Sequence, residues 1–375
     1  MVHVAPNDTE RTILHVDADS FFASCHVARE PERLSGRPVA VAGDPAARAG
    51  VVLSASYEAR RCGVRAAMPV AAARRLCPEL ITLPPEFALY RDRSAALLRL
   101  LEGLSPAVEP FSIDEAWVDL TGCPAAGARA ESAARALAHA AMRDLGLPVS
   151  VGIAENKLLA KMAAAMGKPR GLVRLRRSDV PLLLWPRPVS DLFGVGPALS
   201  ERLKAWNVRT VGDLAALGPA FCERRLGRAG SRLWAAAHGR DDSPVTPPGT
   251  PGGAVPRSVS HGTTLAEDAA LEAEVRPVLF ALAEEVARRL RARALLAGSV
   301  TVTLRRSDFR EVHASAPLDQ GSDMGGELFR TAMRAIRSHC DGRARYRMVA
   351  LAAHRLRPAA RAVRQPSLLD RGAAL

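Results

Sequence analysis

Short apolar runs separated by turn residues mark the first half of the chain. Residues 12–17 have strand character, and residues 21–28 continue at helical spacing. Residues 31–37 read as a loop. Residues 38–42 and 51–55 predict two short strands around a Gly-Asp-Pro turn. Short helices are expected over 57–62 and 69–76, and a longer one over 87–104, after Pro84-Pro85. Two strands, 107–111 and 116–120, flank the tight segment 112–115. An Ala-rich helix fills 126–145 and a strand follows at 149–153. A further helix starts at Asn156 and runs to about Met166, where Gly167 and Pro169 end it.

From 175 to 240 the pattern is helical with short loops. Residues 243–256 form a Pro/Gly-rich linker. Beyond it the order is strand 257–265, helix 268–294, strand 298–306, strand 310–316, helix 324–340 and strand 345–355. That is a β-α-β-β-α-β unit. Residues 358–375 are rich in Arg, Pro and Ala and are expected to be disordered.

A length of 375 residues with 48% hydrophobic content predicts two to four units with buried cores. No apolar run reaches the length of a membrane span, and residues 1–12 are polar without a signal-peptide core. A cytoplasmic protein is therefore expected. The six cysteines are scattered with no Cys-x-x-Cys spacing, which argues for free thiols over a zinc site or a disulfide framework. The net charge of +13 suggests a polyanionic partner. From Arg257 to Leu375, 20 arginines face 13 carboxylates, so more than half of the excess lies in the last third. Aromatics are only 4%, which favours phosphate contacts over base stacking. Only four of the 52 basic residues are lysines: Lys157, Lys161, Lys168 and Lys204. The first three share one helix face if the helix persists that far.

Two acidic signatures carry the candidate chemistry. The first is Ile13-Leu14-His15-Val16-Asp17-Ala18-Asp19-Ser20-Phe21-Phe22; the second is Ser112-Ile113-Asp114-Glu115-Ala116-Trp117. Asp17 ends a strand. Asp114 and Glu115 are adjacent and would face opposite sides of a regular strand, so both reach one site only at a hairpin tip. Strand ends are rigid supports for the oxygen ligands of divalent cations, the chemistry of nucleotidyl transfer. The backbone carbonyl of Ala18 is a further candidate ligand. Asp19 is expected only to cap the next helix.

These segments, together with Ser56-Tyr57-Glu58-Ala59-Arg60 and the stretch from Asn156-Lys157 to Lys168-Pro169, resemble the Y-family translesion DNA polymerases, of the bacterial polymerase IV (DinB) type. The resemblance spans residues 12 to 355. It implies an α+β right-hand architecture: palm 1–28 and 87–175, small fingers 29–86, helix-hairpin-helix thumb 176–242, linker 243–256 and little finger 257–357. It also implies low-fidelity, template-directed DNA synthesis from dNTPs on a primer–template by a monomer, with two Mg2+ ions on Asp17, Ala18, Asp114 and Glu115. Tyr57 and Arg60, three residues apart on one helical face, would grip the β and γ phosphates, and Lys168 would add a point charge. Phe21 and Phe22 would meet the nucleotide, with Phe22 as the steric gate against a 2′-hydroxyl. Adjacent helix positions cannot share a face, so one ring is expected in the core.

Phe193-Gly194-Val195-Gly196-Pro197 looks like the turn of a helix-hairpin-helix, where Gly194 and Gly196 let backbone N–H groups approach a DNA phosphate. The little finger departs from the family pattern at 258–265, 313–315 and 347–351, which bears on DNA grip, lesion preference and processivity. Gly167 stands where the family commonly has Asn. Gln365-Pro366-Ser367-Leu368-Leu369 resembles a sliding-clamp-binding peptide, with Gln365, Leu368 and Leu369 as anchors. Two rival readings are a non-catalytic DNA- and clamp-binding scaffold of the same superfamily, and a nucleotidyl cyclase on a similar palm. The scaffold should have lost metal ligands, and all three acids are present. The cyclase leaves the glycine hairpin and the basic C-terminal module without a purpose.

Overall fold

The computed structural model describes residues 11–44, 50–248, 256–340 and 344–359. The described residues up to 248 form one compact unit, and those from 256 form another.

The first unit is built on a sheet whose central strand is β1 (Ile13–Ala18). The fingers strands β2 (Val39–Ala42), β3 (Val52–Ala55) and β4 (Ile81–Leu83) form a separate small sheet. The palm sheet adds β5 (Val108–Pro110), β6 (Glu115–Asp119), β7 (Val149–Ala154) and β8 (Leu172–Arg174), in the order β5-β6-β1-β7-β8. β1 is antiparallel to both β6 and β7.

Alternation along β1 decides what each face does. Leu14, Val16 and Ala18 pack into one core with α1 (Phe21–Arg29); α5 (Phe87–Glu102) and α6 (Ala130–Leu145) join the same core. Ile13, His15 and Asp17 face the other side, where α7 (Lys157–Gly167) lies. A Cβ on Gly152 would stand 1.9 Å from the Ala160 carbonyl, so glycine is what lets α7 press its backbone onto β7.

The fingers carry α2 (Pro31–Leu34), α3 (Tyr57–Arg61) and α4 (Val70–Leu76). The expected loop at 31–37 instead begins with the short α2, started by Pro31 at its first position. β4 and β8 were not expected from the pattern. Each has three residues and gains its identity by pairing parallel to a distant strand. The thumb follows with α8 (Pro197–Ala205), α9 (Val211–Ala216), α10 (Pro219–Leu226) and α11 (Arg228–Ala237). Its apolar residues, among them Leu203, Leu214 and Leu233, join one cluster with Trp117 and with Leu158, Leu159 and Met162 of α7. Palm and thumb therefore share a core.

The second unit has the expected β-α-β-β-α-β order: β9 (Ser258–Ala270), α12 (Arg276–Arg291), β10 (Leu295–Arg306), β11 (Glu311–Ser322), α13 (Gly325–Arg337) and β12 (Arg345–His354). A short β13 (Arg357–Pro358) pairs with the start of β10. β9, β10 and β11 run longer than the pattern suggests, and the helix expected from 268 begins as a π-helical turn at Leu271–Val275 that continues directly into α12, with Pro277 in the first turn of α12. Val300, Val302 and Leu304 point into the core beneath α12 and α13, while Thr301 and Thr303 lie on the opposite face. Of the expected tail, 358–375, residues from 360 onward lie outside the described residues, and with them Gln365, Leu368 and Leu369.

Candidate active site

Asp17 and Glu115 are direct cross-strand partners on β1 and β6, so their carboxylates leave the same face of the sheet. Asp114 sits in the turn just before β6. The Ala18 N–H donates to the Asp114 carbonyl at 2.9 Å, which staples the two acidic signatures together. The N–H groups of Phe111 and Ser112 both donate to the Glu115 carbonyl and close the turn. The Ser112 hydroxyl donates to the Asp114 carboxylate.

Lysines neutralise this cluster. Lys168 Nζ is 2.6 Å from Asp17 Oδ1, and Lys161 Nζ pairs with Glu115 Oε2. Lys157 donates to both oxygens of Glu109 at 2.7 Å and lies 4.4 Å above the Trp117 ring. Lys157 and Lys161 do share a face of α7. Lys168 lies past its end, in extended backbone at the C-cap, so the helix-face expectation fails for it. Lys161 is also held over Phe111 at 4.8 Å and over Phe193 at 5.3 Å.

Burial pushes Asp17 up to about 6; Lys168 opposes the shift, and the charges of Glu115 and Asp114 add to it. Burial also acts to raise Glu115, but His15 and Lys161 outweigh it and bring Glu115 down to about 2. His15 Nε2 lies 3.1 Å from Glu115 Oε2 without hydrogen-bond alignment. Burial lowers the His15 pKa, and the Lys161 charge lowers it further, against the pull of Glu115.

The donor set suits a hard, oxygen-liganded cation: two partly buried carboxylates side by side, a third on the adjoining turn, and one of them raised by burial and, to a lesser extent, by like charge. Among the described residues, no three His, Cys, Asp or Glu side chains converge as a metal cage. Glu115 and Asp114 are turned onto Lys161 and Ser112, and these side chains would have to rotate to hold a cation.

Asp19 does not take the capping role expected of it and serves instead as a buried anchor. Ser20 occupies the N-cap of α1, in a left-handed conformation, and makes no side-chain cap. The fully buried Asp19 carboxylate accepts from Ser150 Oγ at 2.9 and 3.0 Å, from the Arg170 N–H at 2.7 Å and from the Tyr57 hydroxyl at 3.2 Å. The two-residue spacing from Asp17 was the available signal, because it keeps both acids on one side of an extended chain.

The Phe21 ring is sealed in the core at 3% exposure, which removes that ring from the nucleotide contacts expected of it. Phe22 is half-buried and stacks on Tyr90, with centroids 4.2 Å apart and planes 16° apart. Tyr90 is fully buried, and its hydroxyl meets His26 Nε2 at 2.8 Å. In the fingers, Ser56 caps α3 by accepting from the Ala59 N–H. Arg60 Nε donates to the Ala55 carbonyl at 3.0 Å, and its guanidinium lies 4.8 Å from the Tyr57 ring centroid.

Profiles of three related families match the chain: the impB/mucB/samB family over residues 16–165, its C-terminal domain over 256–368, and the IMS family HHH motif over 177–208. The chain is 41% identical to DNA polymerase IV of Pelotomaculum thermopropionicum, over 87% of this chain and 80% of that protein. It is 40% identical to DNA polymerase IV of Moorella thermoacetica, over 96% and 89% respectively. This chain belongs to the Y-family DNA polymerases, of the polymerase IV type. A solved Y-family DNA polymerase chimera has the same fold, with a TM-score of 0.82 at 24% identity, covering 92% of this chain and 99% of that one.

The thumb of this polymerase presents Gly194 and Gly196 ahead of α8, inside the matched HHH segment. A Cβ at either would meet no atom within 4 Å, so packing does not require glycine there. Gly194 needs it for its φ of +98°, and both leave the backbone open to close approach.

Proposed function

We propose that this polymerase carries out low-fidelity, template-directed translesion synthesis, with Asp17, Asp114 and Glu115 holding two Mg2+ ions at one end of the palm sheet. Polymerases of this family are metal-dependent nucleotidyltransferases that act on DNA and nucleotides. The observation that carries the residue assignment is the cross-strand pairing of Asp17 with Glu115, with Asp114 stapled beside them. When bound, the cations activate the primer 3′-hydroxyl and offset the charge of the leaving pyrophosphate.

The chain's own residues do the rest. Lys168, already beside Asp17, offers a mobile point charge to the triphosphate. Tyr57 is held by Asp19, and Arg60 swings from the Ala55 carbonyl to grip phosphate oxygens. The Ala18 carbonyl is a further cation ligand. Phe22, backed by Tyr90, closes the space under the sugar against a 2′-hydroxyl. Any part for Phe21 at the nucleotide is through its backbone. Gly194 and Gly196 hold a DNA phosphate through backbone N–H groups. The tail at 365–369 engages a sliding clamp, which raises local concentration on DNA. The enzyme works as a monomer in the cytoplasm; among the described residues, no helix is long and apolar enough to cross a membrane.

The scaffold alternative should have lost carboxylates, and Asp17, Asp114 and Glu115 are all present. Primer extension by Asp114→Ala is the test. Lost synthesis with retained primer–template binding supports the assignment, and continued extension overturns it.

A further inference from the structure

Phe22, His26 and Arg29 follow one another at spacings of four and three, so they share one face of α1. That face meets the start of α5, and each of the three has a partner there. The Phe22 ring stacks on Tyr90 and meets Phe87 edge-on, with centroids 6.1 Å apart. His26 Nε2 lies 2.8 Å from the Tyr90 hydroxyl oxygen. The Arg29 guanidinium donates to both carboxylate oxygens of Glu86, each at 2.7 Å. It also reaches back to His26 Nδ1 at 3.3 Å.

These contacts place the proton on the imidazole. A guanidinium can only donate, so Nδ1 accepts from Arg29. Glu86 Oε1, 3.8 Å from Nδ1, stands too far away to accept a hydrogen bond from it. Burial lowers the His26 pKa and the Arg29 charge lowers it further, against the pull of Glu86, so the ring is neutral at physiological pH. The single N–H of the neutral ring is then on Nε2 and donates to the Tyr90 oxygen. His26 is 1% exposed and Tyr90 fully buried, so water does not compete for this bond.

We propose that His26 is a positioning residue for sugar selection: the Arg29–Glu86 pair sets its tautomer, its Nε2–H holds Tyr90, and Tyr90 fixes the Phe22 ring. The inference rests on reading Phe22 as the steric gate. A ring rejects one added oxygen only while it cannot retreat, and the Tyr90 plate is what stands behind Phe22. Without His26 the Tyr90 hydroxyl is left buried and unpaired, and the Tyr90 ring is free to tilt toward a new partner. Phe22 then loses its flat backing and yields to a 2′-hydroxyl. His26 therefore acts on selection through two rings, without touching the nucleotide.

The test is competitive single-nucleotide incorporation of dNTP against rNTP by the full chain. In His26→Leu the dNTP-to-rNTP ratio of kcat/KM should fall at least about threefold, through a lower rNTP KM. His26→Gln, whose side-chain N–H can still donate to the Tyr90 oxygen, should return the ratio toward wild type. Tyr90→Phe keeps the ring and removes only the oxygen; it should relax selection as His26→Leu does, and it carries the test if His26→Leu does not fold. Adding His26→Leu to Tyr90→Phe should change the ratio no further. A defect that weakens both nucleotides alike and leaves the ratio at wild type would make His26 a packing residue and overturn the proposal. Additive losses in the double variant would overturn it too. Phe22→Ala separates the two readings. If it relaxes sugar selection and His26→Leu does not, the gate stands and the role of His26 falls; if Phe22→Ala selects like wild type, the gate reading itself falls.

Discussion

The hydroxyl of Tyr57 donates to the buried Asp19 carboxylate at 3.2 Å. A fingers residue is thereby tied to the strand end that carries Asp17. The same carboxylate holds Ser150 on β7 and the backbone of Arg170, just beyond Lys168. Four separate pieces of the site meet on a side chain that itself faces no solvent.

Asp19→Ala removes the acceptor for three donors and strands the fully buried Ser150 hydroxyl. The expected cost is about 2–4 kcal/mol of folding stability. Urea unfolding should show a clear drop in midpoint, and steady-state kinetics should show a raised dNTP KM. Asp19→Asn should retain part of both. An unchanged midpoint in the alanine variant would contradict the anchoring role.

The Asp17 pKa of about 6 makes its effect on stability run against the usual carboxylate case. Its folded value lies above the unfolded one near 3.8, so the fold retains a proton that the unfolded chain releases. The contribution of Asp17 to stability is therefore present below about pH 4 and is lost as pH rises through 6. Glu115, held near 2, does the opposite: its contribution is present above its unfolded pKa and is lost only as pH falls through 2. Asp17→Asn should be more stable than wild type at pH 7.5 by about 1–3 kcal/mol. The gap should close as pH falls toward 4. A pH-independent gap in denaturation midpoints would refute this account.

Phe21 is the ring in the core, and Phe22 is the ring proposed to lie under the sugar. Phe22→Ala should reduce discrimination between dNTP and rNTP by at least about tenfold, or 1.4 kcal/mol. Phe21→Leu should lower stability and leave sugar selection near wild type. Competitive single-nucleotide incorporation measures both, and equal sugar selection in Phe22→Ala and wild type would move the gate elsewhere.

Deleting residues 365–369 should lower synthesis only when a sliding clamp is present. Extension assays with and without clamp separate the cases, and an equal loss in both would count against a clamp-binding tail.

The carboxylates were legible in the sequence because Asp17 ends an apolar strand, and Asp114 and Glu115 need a turn to act together. The thumb hairpin was legible because two glycines, Gly194 and Gly196, stand just ahead of Pro197 and a helical pattern. The β-α-β-β-α-β order of the second unit followed from alternating periodicity. What stayed hidden depends on partners far along the chain. Lys161 finds Glu115 and Lys168 finds Asp17 only once β1, β6 and α7 have assembled. The anchoring of Asp19 needs Ser150, Arg170 and Tyr57 from three other segments. The strands β4 and β8 are too short to carry a pattern of their own and exist by pairing. The shared core of palm and thumb has no local signature, since Trp117 and Leu233 meet only in the folded chain.

The most direct measurement of the central claim is primer extension on a defined template with Mg2+ and all four dNTPs, comparing wild type with Asp17→Ala. Templated extension by wild type, lost in Asp17→Ala while both proteins bind primer–template equally, is the result this account predicts. Extension by Asp17→Ala at the wild-type rate, or no extension by a wild type that binds primer–template tightly, would contradict it.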